Sequence, residues 1–324
     1  MKQVIAITLG DISGIGPEVV LKALKNNSLI KRNNFLIIGS KVALPQDYQD
    51  CLFIQDQEDL DFKKYPINFL DLDNIKREDF KLGEINKNCG RVALEFIKKA
   101  VELTLSKKVV AIVTAPLNKE AVNLAGFNFS GQTGFLAALT ETSSYTMMLV
   151  SKRLKVALVT IHSSLRKAIE DISIEKILVT IKLVNESLSR CFKIKRPRIA
   201  VASLNPHAGE GGFLGDEEKS FIIPAINKAW QEGIEVWGPF SPDTIFYKTT
   251  KGEFDVVVAM YHDQGLIPLK LLAFEEAVNV TVGLPIIRTS PDHGTAFDIV
   301  GKGIANPKSM IEAIKLASFM VNKI

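Results

Sequence analysis

Three of the four histidines in the sequence follow apolar, β-branched runs. His162 closes the run 156–161, His207 follows 199–204 and His262 follows 256–260. Each run has the near-continuous hydrophobicity of a strand covered on both faces. In an open α/β sheet, ligands bind beyond the carboxyl ends of parallel strands. Three neutral imidazoles delivered to one such edge suit a divalent ion with a coordination position left for substrate. Ligand softness favours zinc or cobalt over magnesium. No H-x-x-x-H spacing builds the set locally, so tertiary structure must assemble it. Taken singly, each reads as a loop histidine with a satisfied hydrogen bond. Asp243 and Asp263 are candidate ligands, orienting partners or proton acceptors.

The elements that must position these residues alternate. Strands are expected at 4–9, 35–38, 109–114, 147–150, 156–161, 199–204 and 256–260. Helical periodicity runs through 19–25, 89–105, 174–189, 217–230 and 307–323. This βαβ alternation predicts an α/β fold with a largely parallel sheet. Residues 40–88 are more polar and read as a peripheral excursion. At 324 residues the chain exceeds a usual single core, which predicts two domains.

Composition narrows the functions. The chain is 47% hydrophobic and 23% charged, as in an ordinary globular protein. Its net charge of +4 comes from scattered lysines, not a basic patch, which argues against nucleic acid as a partner. Cys51, Cys89 and Cys191 are odd in number and far apart. That predicts a reducing, cytoplasmic setting without disulfides. No segment has the length and apolarity of a membrane span or a signal peptide. A P-loop is missing, Gly14-Ile15-Gly16 lacks the third glycine of a Rossmann fingerprint, and there is no G-x-S-x-G elbow.

The fourth histidine, His293, lies in PDHGTAFDIVGKGIANP, residues 291–307. This stretch resembles the adenosine-binding loop of isopropylmalate and isocitrate dehydrogenases. Further blocks occur in order: GDISGIGPE (10–18), TAPLNK (114–119), NPHAGE (205–210), MYHDQG (260–265) and RTSPDHGTA (288–296). Together they resemble the 4-hydroxythreonine-4-phosphate dehydrogenase family from residue 4 to about residue 320. The resemblance implies a two-domain isocitrate/isopropylmalate dehydrogenase-like fold, with parallel or mixed sheets flanked by helices. The active site would sit in the interdomain cleft at the interface of a homodimer. The expected cofactor-side domain is 1–125 plus 285–324, and the expected metal, substrate and dimerisation domain is 126–284.

The resemblance also implies roles. His162, His207 and His262 match the metal ligands, which come from two subunits. Gln132, Thr133, Lys270, Asn279 and Arg288 match substrate-binding positions. His293, Gly294, Thr295, Ala296, Asp298 and Asn306 fall in the cofactor loop. The family uses NAD, with NADP left open, and one divalent metal per site. It oxidises 4-phosphooxy-L-threonine, and the resulting β-keto acid loses carbon dioxide. A metal would polarise the substrate oxygens, and Lys270 and Arg288 would neutralise its anionic ends. Candidate catalytic residues are Asp243, Asp263 and Lys270.

One block departs from the pattern. Where the family reads Gly-His-Thr-Glu, this chain has Gly131, Gln132, Thr133 and Gly134. Glutamine donates a hydrogen bond but carries neither a proton nor a charge. Residues 114–119 and 267–272 also resemble the branch that oxidises D-threonate or D-erythronate 4-phosphate. A metal-dependent lyase or hydrolase without dinucleotide is a further alternative, which the 293–306 loop argues against.

Overall fold

The structure is a computed structural model that describes residues 2–46, 48–129 and 131–322. The chain divides into two compact units, 1–142 with 284–322 and 143–283. Residues 126–142 were expected in the second unit. They belong to the first because their helix packs on the long helix of that unit. The expected terminal helix, 307–323, ends at Val321, and Lys323 lies outside the described residues.

The first unit holds a parallel sheet. Its strands are β1 (Val4–Thr8), β2 (Asn34–Gly39), β3 (Leu52–Ile54), β4 (Ile67–Asp71), β5 (Ala111–Thr114) and β12 (Ile287–Pro291), in the order β3-β4-β2-β1-β5-β12. Residues 40–88 are therefore not only an excursion. They supply the edge strand β3 and its neighbour β4, which the polar residues around them hid in the sequence. Helix α1 (Gly16–Leu24) opens on Pro17, whose fixed φ suits a first turn. Helix α2 (Asn27–Arg32) follows it. Helix α3 (Lys87–Leu105) starts where the Asn86 side chain accepts from the amides of Asn88 and Cys89. It packs on β1, β2 and β5, with Phe96 and Ile97 fully buried. Two short helices, α4 (Lys119–Leu124) and α5 (Gln132–Leu139), pack against it. Helix α11 (Lys308–Val321) packs on β5 and β12.

The second unit is mixed. Its strands are β6 (Thr146–Val150), β7 (Lys155–Leu158), β8 (Ile199–Ala202), β9 (Val236–Phe240), β10 (Val256–Ala259) and β11 (Val278–Val282), ordered β11-β6-β7-β10-β8-β9. β6 runs antiparallel to β7 and β11, and the β7-β10-β8-β9 portion is parallel. Helices α6 (Leu165–Glu170), α7 (Ile174–Phe192), α8 (Ile223–Gln231), α9 (Pro242–Thr250) and α10 (His262–Ala273) connect the strands. The core joins Leu149, Val156, Leu158 and Val257 of the sheet to Ile245, Leu266 and Leu269 of the helices.

The helix expected over 217–230 is interrupted. Residues Glu218–Ile222 form a π-turn, and α8 begins only at Ile223. Pro224 has no N–H to give to the carbonyl four residues back, so the ladder slips to Ile223 N–H bonding Glu218 O. Among the described residues no helix is long and apolar enough to cross a membrane.

Candidate active site

The three histidines follow three neighbouring parallel strands. His162 lies four residues beyond β7, His262 opens α10 just after β10, and His207 follows β8. Backbone bonding extends past β7, where Val159 N bonds Ala259 O at 2.9 Å. This keeps the segments leading to His162 and His262 together. Their ring centroids are 5.7 Å apart and tilted by 41°. His262 Nδ1 pairs with Asp263 Oδ1 at 2.7 Å. Of the three roles open to Asp263 (ligand, orienting partner or proton acceptor), this contact suits the orienting partner. His207 Nδ1 pairs likewise with Glu210 Oε1 at 2.8 Å. That hydrogen bond, with the charges of Glu210 and Asp243, raises the His207 pKa above the usual imidazole value. Asp243, in the first turn of α9, accepts from Ser241 Oγ at 2.6 Å.

A carboxyl on Nδ1 leaves Nε2 for a ligand, which is how metal-binding histidines are commonly held. The donor chemistry therefore fits one divalent ion at His162 and His262, with His207 as a further ligand. Among the described residues, however, no three histidines, cysteines or carboxylates of one chain gather as a metal-holding group. Elsewhere in this unit, Lys270 on α10 lies over the Phe274 ring at 5.7 Å. Asn279 on β11 has a buried Oδ1 with no hydrogen-bond partner among the described residues. Such an orphaned acceptor suits a substrate N–H or O–H.

In the first unit Arg288 is 3% exposed on β12. Its Nε and Nη2 donate to Thr114 Oγ1 at 3.1 and 2.7 Å, and Nη2 donates to Gln132 Oε1 at 2.6 Å. Gln132 Nε2 in turn donates to Ala115 O at 2.9 Å. Burial pulls the Arg288 pKa down to about 9, which still leaves it charged at neutral pH. Gln132 and Thr133 form the first turn of α5. Thr114 opens the TAPLNK block, whose residues alone give it no role. No local signal could reveal it, because 174 residues separate it from Arg288.

The loop 293–306 rests on the turn before α1. Ile15 N donates to Thr295 O at 3.0 Å, and a Cβ on Gly14 would come within 2.8 Å of Thr295 Cβ. Glycine is therefore required at position 14 by close approach. At the far end Glu18 Oε1 accepts from Ala305 N at 2.9 Å, and Lys22 Nζ donates to Gly303 O and Ala305 O at 2.8 and 2.9 Å. Glu18 and Lys22 also pair with each other at 2.7 Å. Ala296 takes a left-handed φ of 44°, and Gly294 and Asp298 are exposed. Asn306 Oδ1 accepts from Lys308 N at 3.0 Å at the start of α11. His293 Nε2 is buried and has no hydrogen-bond partner among the described residues. Beside the loop lies a cavity of about 670 Å³ lined by Ile12, Leu21, Tyr48, Phe80, Val300 and Gly301. A cavity of this size, lined also by the charged Glu18, Lys22, Lys25 and Arg77, has room for the nucleoside half of a dinucleotide.

A β-decarboxylating dehydrogenase from Thermococcus kodakarensis shares the fold with a TM-score of 0.51 at 17% identity, over 98% of this chain and 83% of that one. The family profile described as "Pyridoxal phosphate biosynthetic protein PdxA" matches residues 31–317, and the chain belongs to that family. It is 44% identical to the 4-hydroxythreonine-4-phosphate dehydrogenase of Sulfurihydrogenibium sp., over 97% of both chains. It is 46% identical to the D-threonate 4-phosphate dehydrogenase of Cupriavidus necator, over 96% of this chain and 95% of that one. A crystal structure of 4-hydroxythreonine-4-phosphate dehydrogenase from Klebsiella pneumoniae matches with a TM-score of 0.90 at 42% identity, over 99% and 98% of the two chains.

Proposed function

We propose that the protein is a 4-hydroxythreonine-4-phosphate dehydrogenase. It oxidises the secondary alcohol of 4-phosphooxy-L-threonine with NAD, in pyridoxine 5′-phosphate biosynthesis. Hydride passes from the alcohol carbon to the nicotinamide, and the hydroxyl proton passes to a base. The resulting 3-oxo acid loses carbon dioxide to give 3-amino-2-oxopropyl phosphate. The observation that carries this reading is the near-full-length identity to an enzyme of that name.

The residues have matching tasks. A divalent ion at His162, His207 and His262 would supply Lewis-acid polarisation of the substrate oxygens when bound. Asp263 and Glu210 hold two of those imidazoles by Nδ1. Asp243 is the carboxyl left for proton transfer near His207. Arg288, held by Thr114 and Gln132, presents a fixed cation for a phosphate or carboxylate. Lys270 supplies a second cation, and Asn279 Oδ1 an acceptor. The loop 293–306 binds the dinucleotide.

The functional unit is a homodimer whose subunits share metal ligands. The exposed apolar side chains of Ile267 and Leu271 on α10, with Phe274 just past its end, support this. The three cysteines, all buried and free, support a reducing, cytoplasmic setting.

A second reading, oxidation of D-threonate or D-erythronate 4-phosphate, is favoured by Gln132 and by the relative of that name. These substrates carry a hydroxyl where phosphooxy-threonine carries an amine, so one or two polar contacts separate the readings. NADH formation by metal-reconstituted protein, on both substrates in parallel with an EDTA control, decides between them. Metal-dependent turnover of phosphooxy-threonine upholds the proposal. Turnover of only the sugar-acid phosphate replaces it with the second reading, and no turnover of either refutes both.

A further inference from the structure

We infer that Glu218 is a positioning residue that holds the segment carrying His207 in a strained conformation. The inference rests on the proposed metal-binding role of His207. Five consecutive residues there are left-handed: His207 (φ 51°, ψ 31°), Ala208 (56°, 38°), Gly209 (75°, 1°), Glu210 (43°, 50°) and Gly211 (68°, 18°). Three of these carry a Cβ, which crowds the following carbonyl in this region. Left-handed residues normally occur singly. A run of them persists only where the surroundings over-determine it.

Glu218 supplies those surroundings. It is 2% exposed, although its side chain is a carboxylic acid. Oε1 accepts from the amides of Leu204 and Asn205, at 2.8 Å each, and Oε2 accepts from Asn205 Nδ2 at 3.0 Å. Both donor residues belong to the segment that feeds the strained turn. The backbone then passes directly over the same carboxyl, since a Cβ on Gly209 would lie 2.7 Å from Oε2. Gly209 is thus demanded by space as well as by its φ of +75°.

The exit of the turn is gripped from the same place. The neighbouring Lys219 donates its Nζ to Gly211 O. Both residues start the π-turn 218–222, the irregularity that Pro224 imposes on the helix. An uninterrupted α-helix would rotate Glu218 relative to the residues that follow it. The proline-induced slip therefore sets where the carboxyl points. The carboxyl lies behind the turn and takes no part in the proposed chemistry. Its effect is to fix the His207 ring before a ligand arrives.

The test uses full-length Glu218→Ala, Glu218→Gln and His207→Ala proteins. Hydrogen exchange of peptides covering 203–214 reports the segment, and cobalt(II) affinity, by competition with a chromophoric chelator, reports the site. Glu218→Ala is expected to speed exchange across 203–214, leave the 255–282 region protected, and weaken cobalt binding by about tenfold or more. Glu218→Gln keeps one oxygen for the Leu204 and Asn205 amides and should restore most of both. Unchanged exchange and affinity in Glu218→Ala would overturn the inference. So would loss of protection throughout 143–283 in Glu218→Gln, since the carboxyl would then support the whole unit. If His207→Ala binds cobalt as tightly as the parent, the metal reading fails, and exchange alone then decides the role of Glu218.

Discussion

Gln132 is where this chain leaves its family's pattern, and the structure gives it a task. Its Oε1 accepts from Arg288 while its Nε2 is tied to Ala115 O, so the amide is oriented from both sides. An amide meets both demands at any pH, whereas an imidazole would meet them in one tautomer only. Truncation in Gln132→Ala removes an acceptor from a buried guanidinium. A hydrogen bond to a charged group contributes about 1.5–3 kcal/mol. Steady-state kinetics should therefore show KM for the phosphorylated substrate raised about tenfold or more, with a smaller change in kcat. Gln132→His should raise turnover of phosphooxy-threonine if the departure is a loss. An unchanged or lower rate would assign Gln132 to the other substrate. His207→Ala tests the metal site. Its side chain is 64% exposed and its backbone strained, so thermal melting should change little while metal-dependent turnover disappears.

Among the elements, the loop 293–306 and helix α1 act as a pair. Thr295 docks on the turn before the helix, and Gly303 and Ala305 dock on Glu18 and Lys22 within it. The loop is thereby shaped without a ligand, which lowers the ordering cost of binding one. Lys22→Met keeps the aliphatic stem but loses both carbonyl contacts. The dinucleotide KM should rise several-fold with kcat nearly unchanged, and exchange should quicken at 301–306. Equal falls in kcat with an unchanged KM would show that the contact does not organise a binding loop. Leu269 of α10 is fully buried against the second unit's sheet. Leu269→Ala should cost about 2–5 kcal/mol in denaturant unfolding. A loss below about 1 kcal/mol would mean that α10 does not anchor that core.

At the scale of the whole molecule, the exposed stripe on α10 is the test of assembly. Leu271 is 83% exposed and Phe274 73%, on the helix that begins with His262. If this stripe forms the proposed subunit interface, Leu271→Asp would place a charge within it. Sedimentation should then show a monomer, with metal affinity and turnover lost together because the ligand set is split. A dimer with full metal affinity would remove this stripe from the interface.

Several features were legible in the sequence because they are local. Apolar runs marked β1, β7, β8 and β10, and the residues just past their ends marked the histidines. That β10 lies between β7 and β8 was not legible, because pairing order depends on contacts across the sheet. The blocks 10–18, 205–210 and 288–296 carried the family. Other features depended on partners far away in the chain. β3 has only three residues and β4 is interrupted by Asn68, and both sit in a polar stretch, so neither stood out before they paired. Thr114 became the acceptor for Arg288 only when β5 and β12 lay side by side. Glu218 reads as a solvated helix residue until Pro224 shifts the ladder and turns it beneath the His207 segment. Periodicity and residue type marked seven of the twelve described strands and the residue types that could do chemistry. Orientation, strain and burial of single side chains depend on contacts across the fold, and only the tertiary structure decided them.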